Sequence, residues 1–311
     1  MPSFQISPDD KIVHAELEET ILQASLKAGI AHAHACGGFA KCSTCRVIVE
    51  TGSELLSKPG EAEKKLANKV KFPNDVRLAC QTRVEGEGKL ILKRPVIDDI
   101  DLELTNIMGK NSLELQKMGE PKKLAIMFVD IEGYTPFAEA LPSYDIMHVL
   151  NRYFYLMGKV INKKRGNIID YYGDGLLAIF GLYESTPEEA ALLAVEAGID
   201  MNKELQKLNP YLEKMYCKSF KIRIGINYGN VITGTIGIEG MQKFSVIGDP
   251  VNMASRIETS NKLFGTHFLI SENVKALLPD TIKIGKSCET VLKGKKGNHT
   301  LYEVLIPDTN V

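Results

Sequence analysis

The 311-residue sequence lacks both a long hydrophobic segment and a surplus of charge. No apolar run approaches the ~18 residues of a transmembrane helix, and Met1 to Asp10 do not combine a basic region with an apolar one, as a secretory signal does. Since 38 basic and 39 acidic residues leave a net charge of −1, the sequence gives no electrostatic reason to expect nucleic acid or a membrane as partner. We therefore expect a soluble, cytoplasmic protein.

Cysteine is unevenly spread. Two of the six cysteines, Cys217 and Cys288, stand apart as ordinary core or surface residues, and the others lie in the first third of the chain at Cys36, Cys42, Cys45 and Cys80. This distribution indicates a metal site rather than a disulfide framework. The length favours two domains. We predict an N-terminal domain over residues 1–95, a linker over 96–120 and a second domain over 121–311.

Three of the four clustered cysteines share one loop of small residues. Five residues separate Cys36 from Cys42, and two separate Cys42 from Cys45. Four thiolates without a partnering histidine pattern suit a [2Fe–2S] cluster, and small loop residues let backbone amides approach its sulfides. The alternative is a four-cysteine zinc site, although zinc ribbons usually show two closely spaced cysteine pairs.

Residues 3–95 resemble the [2Fe–2S] ferredoxins of β-grasp fold, and the five-residue gap is closer to adrenodoxin-like members than to the plant type. His32 and His34 flank the first ligand without replacing a cysteine, so we expect them on the surface. In the linker, Ser112 to Met118 predict a short helix. Paired across a dimer it could carry a signal from the cluster, or the linker could be a passive tether.

In the second half of the chain, each of two aspartates lies at one end of an apolar run. Asp130 ends the run from Leu124 to Val129, and Asp174 lies in a glycine-flanked turn before a second run. Brought together by neighbouring strands, two carboxylates would suit magnesium or manganese. Two such metals can activate a hydroxyl and steady a leaving phosphate oxygen, which is phosphoryl or nucleotidyl transfer chemistry. The alternative is that both aspartates cap turns.

Strand and helix patterns alternate in this half, which predicts an α+β or α/β sandwich of helices on a largely antiparallel sheet. We expect one helix to run from Glu188 to Leu208. Two strands, Lys221 to Asn227 and Val231 to Thr235, are expected around a turn at Tyr228-Gly229-Asn230.

Residues 120–306 resemble the class III nucleotide cyclases. The matching pieces, in order, are Phe128-Val129-Asp130-Ile131-Glu132-Gly133-Tyr134-Thr135, Gly173-Asp174-Gly175, Phe244-Ser245-Val246-Ile247-Gly248-Asp249, Val251-Asn252-Met253-Ala254-Ser255-Arg256 and Leu292-Lys293-Gly294. The two resemblances together imply an α+β chain in which a β-grasp ferredoxin domain precedes a cyclase sandwich on a ferredoxin-like palm. The second also implies a head-to-tail homodimer, in which a nucleotide's 3′-hydroxyl attacks its own α-phosphate and expels pyrophosphate.

The resemblance assigns roles to individual residues. Asp130 and Asp174 match the metal-binding aspartates. Asn252 and Arg256, four apart on one helical face, match residues that orient the ribose and stabilise charge on the phosphate. Lys293 matches a phosphate-binding lysine, with Lys295 and Lys296 beside it.

The same resemblance implies that Asp170 and Ser245 occupy the positions that select the base. Adenylate-forming relatives usually have Lys with Asp or Thr there, and guanylate-forming relatives have Glu with Cys. A carboxylate at position 170 favours guanine, because it can accept hydrogen bonds from the N1–H and the 2-amino group of that base. Adenylate cyclases, however, prevail among similar two-domain soluble chains, so we favour ATP slightly. Asn230 replaces an arginine that holds the triphosphate in some relatives, so substrate affinity should be weaker.

Together these features predict a nucleotide cyclase tuned by an iron–sulfur cluster that exchanges electrons with a redox partner. One alternative is a nucleotide-binding regulator without activity. Another is an electron carrier that is merely tethered to a cyclase.

Overall fold

The computed structural model describes residues 1–95, 119–183, 185–238, 240–295 and 297–307. The chain divides into two compact units, Met1–Glu120 and Pro121–Val311. The helix predicted at Ser112 to Met118 lies outside the described residues. Within the described ranges, no helix is both long and apolar enough to cross a bilayer.

The N-terminal unit is built on a five-stranded sheet in the order β2-β1-β5-β3-β4. β1 pairs in parallel with β5, and the other neighbours are antiparallel. Thr20 caps the first helix by accepting a hydrogen bond from the Gln23 N–H at 3.2 Å, and the Gln23 side chain accepts from the Thr20 N–H at 3.0 Å. The elements are β1 (Ser3–Ser7), β2 (Lys11–His14), α1 (Ile21–Lys27), β3 (Arg46–Thr51), a 3₁₀ turn (Ser53–Leu55), α2 (Glu61–Val70), β4 (Val76–Leu78) and β5 (Ile91–Lys93).

The C-terminal unit is built on an eight-stranded, largely antiparallel sheet in the order β12-β13-β11-β9-β6-β8-β7, with β10 paired to β9. Its strands are β6 (Glu120–Ile131), β7 (Asn167–Tyr172), β8 (Gly175–Phe180), β9 (Ile222–Ile236), β10 (Lys243–Ile247), β11 (Phe268–Ser271), β12 (Ile284–Thr290) and β13 (His299–Val304). Its helices are α3 (Tyr134–Ala140), α4 (Ser143–Lys163), α5 (Pro187–Tyr216), α6 (Asp249–Phe264) and α7 (Glu272–Lys275).

Alternate residues of β6 feed two apolar cores on opposite faces of the sheet. Met127 and Val129 pack with residues of α4 and α5, whereas Leu124 and Ile126 pack with Ala254 of α6. Helices therefore lie on a largely antiparallel sheet, which confirms the predicted α+β class.

Two boundary predictions are wrong. α5 continues past Leu208 and through Pro210, because the Asn209 side chain bonds both backbone groups of Phe220 at 2.8 and 3.0 Å and Leu212 is fully buried. The expected turn at Gly229 is instead the middle of one continuous strand, β9. A Cβ at Gly229 would lie 2.6 Å from Pro250 Cγ, so this glycine permits the close approach of α6.

Candidate active site

The four clustered thiols of the N-terminal unit form two pairs. Cys36 hydrogen-bonds to Cys42, and Cys45 hydrogen-bonds to Cys80. For Cys80, the hydrogen bond from Cys45 has a larger effect than burial and lowers the pKa of the thiol to about 6. For Cys45, the same hydrogen bond and, to a smaller extent, burial both raise the pKa of the thiol. Two pairs of neighbouring thiols, one pair for each iron, are the donor set that a two-iron cluster uses.

Backbone amides of the loop point at these sulfurs. Cys36 accepts hydrogen bonds from the amides of Phe39, Lys41 and Cys42, and Cys80 accepts one from Ala40. Ala40 has a φ of 50°, a left-handed conformation that is uncommon for residues other than glycine and that fits the tight wrapping of this loop. Amide donors stabilise negative charge on cluster sulfurs, so the loop fits a [2Fe–2S] cluster.

His32 and His34 are buried rather than exposed, which corrects the prediction for both residues. His32 Nε2 lies 3.3 Å from the Cys45 carbonyl oxygen, and His34 Nδ1 lies 2.6 Å from the His32 carbonyl oxygen. Burial, with a smaller contribution from Arg94, lowers the pKa of His32 to about 4. His32 is therefore a neutral side chain that packs behind the cluster loop.

In the C-terminal unit, strand pairing brings Asp130 and Asp174 together. β6 and β8 pair Val129 with Leu176, so Asp130 lies beside the β7–β8 turn that carries Asp174. The Ile131 N–H donates to Asp174 Oδ2 at 3.2 Å. Burial, followed by repulsion from Asp130, raises the pKa of Asp174 to about 6. Two facing carboxylates are a suitable ligand set for a divalent cation.

A buried arginine holds Asp130 in place. Arg223, in β9, donates from Nη2 to Asp130 Oδ2 at 2.9 Å and from Nε to Glu258 Oε1 at 3.2 Å. The side chain of Arg223 is only 8% exposed, so its charge depends on these carboxylates. Burial, then the nearby Asp130, raises the pKa of Glu258.

Asn252 and Arg256 lie on the other side of α6. Glu258 follows Arg256 by two residues, a rotation of roughly 200° about the helix axis, so the face bearing Asn252 and Arg256 points away from the Asp130 network. Arg256 Nη1 is buried without a hydrogen-bond partner among the described residues. Such an orphaned donor is a feature expected of a site that receives phosphate oxygens.

The loop after β12 adjoins this second group. A Cβ on Gly294 would lie 3.5 Å from Arg256 Nη2, so the turn that carries Lys293 is next to the guanidinium. Lys295 is tied to Asp249 by an ion pair, whereas Lys293 is exposed. Of these two lysines, Lys293 is the one positioned to meet a ligand. Lys296 lies outside the described residues.

The predicted residues therefore form two groups. Asp130 and Asp174 belong to one, and Asn252, Arg256 and Lys293 belong to the other. Among the described residues, no hydrogen bond or ion pair joins the two groups directly.

Of the two base-selecting candidates, Asp170 lies on β7 and Ser245 on β10. Asp170 Oδ1 forms an ion pair with Lys243 and also accepts the Tyr171 N–H at 2.8 Å. Ser245 is two residues beyond Lys243 in the same strand, so both side chains lie on one face of β10.

Sequence reasoning missed Arg223, Glu258 and Lys243. A charge inside the apolar run from Ile222 to Ile226 was a signal for Arg223, because an arginine in a buried strand needs a partner. Glu258 and Lys243 gave no comparable signal.

Two protein-family descriptions match the chain. Residues 116–305 match the family described as the Adenylate and Guanylate cyclase catalytic domain. The chain belongs to the adenylate and guanylate cyclase family. Residues 4–85 of this cyclase-family chain match the 2Fe-2S iron-sulfur cluster binding domain, so a ferredoxin domain precedes the cyclase domain.

Several family members are similar in sequence. The adenylate cyclase of Anabaena cylindrica is 35% identical over 190 residues, which span 59% of this chain and 37% of that protein. Adenylate cyclase 1 of Rhizobium meliloti is 28% identical over 184 residues, which span 59% of this chain and 28% of that protein. The chain thus spans about a third of the length of these relatives.

Solved structures of cyclases share the fold. The adenylyl cyclase CyaB from P. aeruginosa aligns with a TM-score of 0.57 and 28% identity over 62% of this chain and 98% of that one. The guanylyl cyclase Cya2 aligns with a TM-score of 0.57 and 30% identity over 62% of this chain and 96% of that one. Of these two structures, one is named an adenylyl cyclase and the other a guanylyl cyclase.

Proposed function

We propose that this protein converts ATP, or secondarily GTP, to the 3′,5′-cyclic nucleotide and pyrophosphate. The observation that carries the proposal is the facing pair of Asp130 and Asp174 in a chain of the cyclase family. In the reaction the 3′-oxygen forms a bond to the α-phosphorus, the bond to the pyrophosphate oxygen breaks, and the hydroxyl proton passes to solvent.

The chain's own residues orient the nucleotide and compensate its charge. Asn252 holds the ribose, and the unpartnered Nη1 of Arg256 receives oxygens of the reacting phosphate. Lys293 binds the triphosphate. Two magnesium or manganese ions, held by Asp130 and Asp174, would acidify the 3′-hydroxyl and steady the leaving group.

We assign the site to a homodimer. Asn252 and Arg256 point away from the Asp130 network across α6, so each group would be a half-site that a second copy completes. The β9–β10 arm, residues 231–238 and 240–247, offers apolar surface for this contact. Its exposed apolar side chains are Ile232, Ile236, Ile238, Met241, Phe244 and Ile247.

We further propose that a [2Fe–2S] cluster on Cys36, Cys42, Cys45 and Cys80 regulates the cyclase through its redox state, with electrons from a redox partner. A change of one electron can bias two packings of a dimer. Cyclase rates that stay equal in oxidised and dithionite-reduced protein, with reduction verified by absorbance, would leave the cluster as a tethered electron carrier.

The test of the enzyme is Asp174→Ala in anaerobically prepared full-length protein. We expect cyclic nucleotide formation with manganese to fall at least ~100-fold, since the variant removes a metal ligand. Unchanged turnover would overturn the metal assignment. The second candidate function, a catalytically silent nucleotide-binding regulator, is favoured by the unusual Asp170. It predicts nucleotide binding without cyclic product in the wild type.

A further inference from the structure

We propose that Lys243 is a specificity-determining residue, which together with Asp170 selects adenine over guanine. This inference rests on the proposed cyclase function and deepens it. The observation behind it is the ion pair between the Lys243 ammonium and Asp170 Oδ1.

The pair lies at the edge of an apolar row. Strand pairing places Phe128, Leu177 and Asp170 side by side across β6, β8 and β7. Directly paired residues share a face of the sheet, so the carboxylate is on the same face as Leu177 and the half-buried Phe128. An apolar floor with a polar edge matches the flat face and hydrogen-bonding edge of a nucleobase.

The ion pair is open to a ligand. The side chains of Lys243 and Asp170 are 50% and 48% exposed. An ion pair of this exposure contributes little to the stability of a fold. Its charges are therefore available for recognition, and strand β10 continues through Gly248 into α6, which carries Asn252 and Arg256.

Hydrogen-bond capacity decides between the bases. Asp170 Oδ1 already accepts from Lys243 and from the Tyr171 N–H. Guanine would need both carboxylate oxygens for its N1–H and 2-amino group. Adenine needs one oxygen for its 6-amino group and one donor for N1, and Asp170 Oδ2 and the Lys243 ammonium supply these two. Lys243 thus reverses the guanine preference of an isolated carboxylate.

The test is a competition assay with manganese, equal ATP and GTP, and chromatographic separation of the cyclic products. We expect wild type to form mainly cyclic AMP. Lys243→Ala should shift the product ratio toward cyclic GMP by about tenfold or more, the scale of one good base-edge contact. Lys207→Ala, which breaks a comparable surface ion pair with Glu204 on α5, should leave the ratio unchanged.

Wild type that prefers GTP, or a K243A ratio equal to wild type, would overturn the inference while leaving the cyclase intact. Absence of any cyclic product would instead overturn the proposed function. In that case base selection is tested by a binding assay, in which ATP or GTP displaces a fluorescent ATP analogue from the protein. An ATP to GTP affinity ratio that is equal in wild type and K243A would again overturn the role of Lys243.

Discussion

In the N-terminal unit three of the four candidate ligands share one loop, whereas in the C-terminal unit the candidate residues come from separate strands, a helix and a loop. The cysteine pairs meet within one chain. The cyclase residues split into two groups, and among the described residues no hydrogen bond or ion pair joins these groups directly. A cluster site can therefore be complete in a monomer, while the proposed catalytic site depends on association.

The largest expected effect is the loss of cyclase activity in two single variants and its partial recovery when the variants are mixed. Asp174→Ala and Arg256→Ala should each reduce cyclase activity at least ~100-fold, because each removes one half of every site. A mixture that exchanges subunits should recover about a quarter of wild-type activity, since half of the dimers hold one complete site of two. No recovery, with exchange verified by native mass spectrometry, would mean that the site lies within one chain.

The N-terminal unit should give the opposite result. Cys45→Ala and Cys80→Ala should each abolish the visible absorbance of the cluster, since each removes one thiolate of a pair. Mixing the two variants should restore no absorbance, because the four thiols belong to one chain. Recovery on mixing would show that the cluster is shared between chains.

The third effect concerns folding stability. Arg223→Ala leaves Asp130 and Glu258 facing each other without their cation, so we expect a loss of about 3–5 kcal/mol from the C-terminal unit. Arg223→Lys should lose less, because it keeps the charge. Urea unfolding followed by circular dichroism measures the loss. The urea midpoint for loss of the cluster absorbance should stay unchanged. A shift in that midpoint would show that the two units unfold together.

The fourth effect depends on pH. The pKa of Asp174 is raised from 3.8 to about 6, so ionising it costs stability as the pH rises through this range. Asp174→Asn stays neutral. In EDTA, the free energy of unfolding of this variant should therefore exceed that of wild type by about 1–2 kcal/mol above pH 6. The value is reduced because the Asp174 carboxyl is partly exposed to solvent. The gain should vanish below about pH 4. A gain that persists there would exclude titration as its cause.

The smallest effect compares the same cap in both units. Thr20→Ala should lower the stability of the N-terminal unit by about 1 kcal/mol, because Thr20 and Gln23 form a reciprocal cap. Thr186, whose side chain accepts only the Glu189 N–H at 3.1 Å among the described residues, should contribute less to the C-terminal unit. Thermal melts followed by cluster absorbance and by circular dichroism separate the two. Equal losses would remove the distinction between the caps.

The sequence predicted features that short-range chemistry determines. Cysteine spacing indicated the cluster loop, and a carboxylate at the end of an apolar run marked Asp130. The partner of Asp130, Arg223, is 93 residues away and meets it only through the pairing of distant strands. Lys243 lies 73 residues beyond Asp170 and resembles any exposed lysine.

Burial was the other quantity that local sequence did not reveal. His32 and His34 alternate with alanines and show no apolar run around them, yet the backbone carbonyls of Cys45 and His32 hold them inside the unit. Gly229 likewise suggested a turn, because the approach of Pro250 comes from a helix twenty residues later. In both cases tertiary packing overrides the local pattern.

The continuity of β9 has a mechanical consequence. At ~3.3 Å per residue, its 15 residues span about 50 Å. One end carries the exposed Ile232 and Ile236 of the β9–β10 arm, and the other carries Arg223 against Asp130. One uninterrupted strand therefore joins the surface proposed for a second copy to the arginine that holds Asp130, so we expect a displacement of the arm to be felt at that carboxylate.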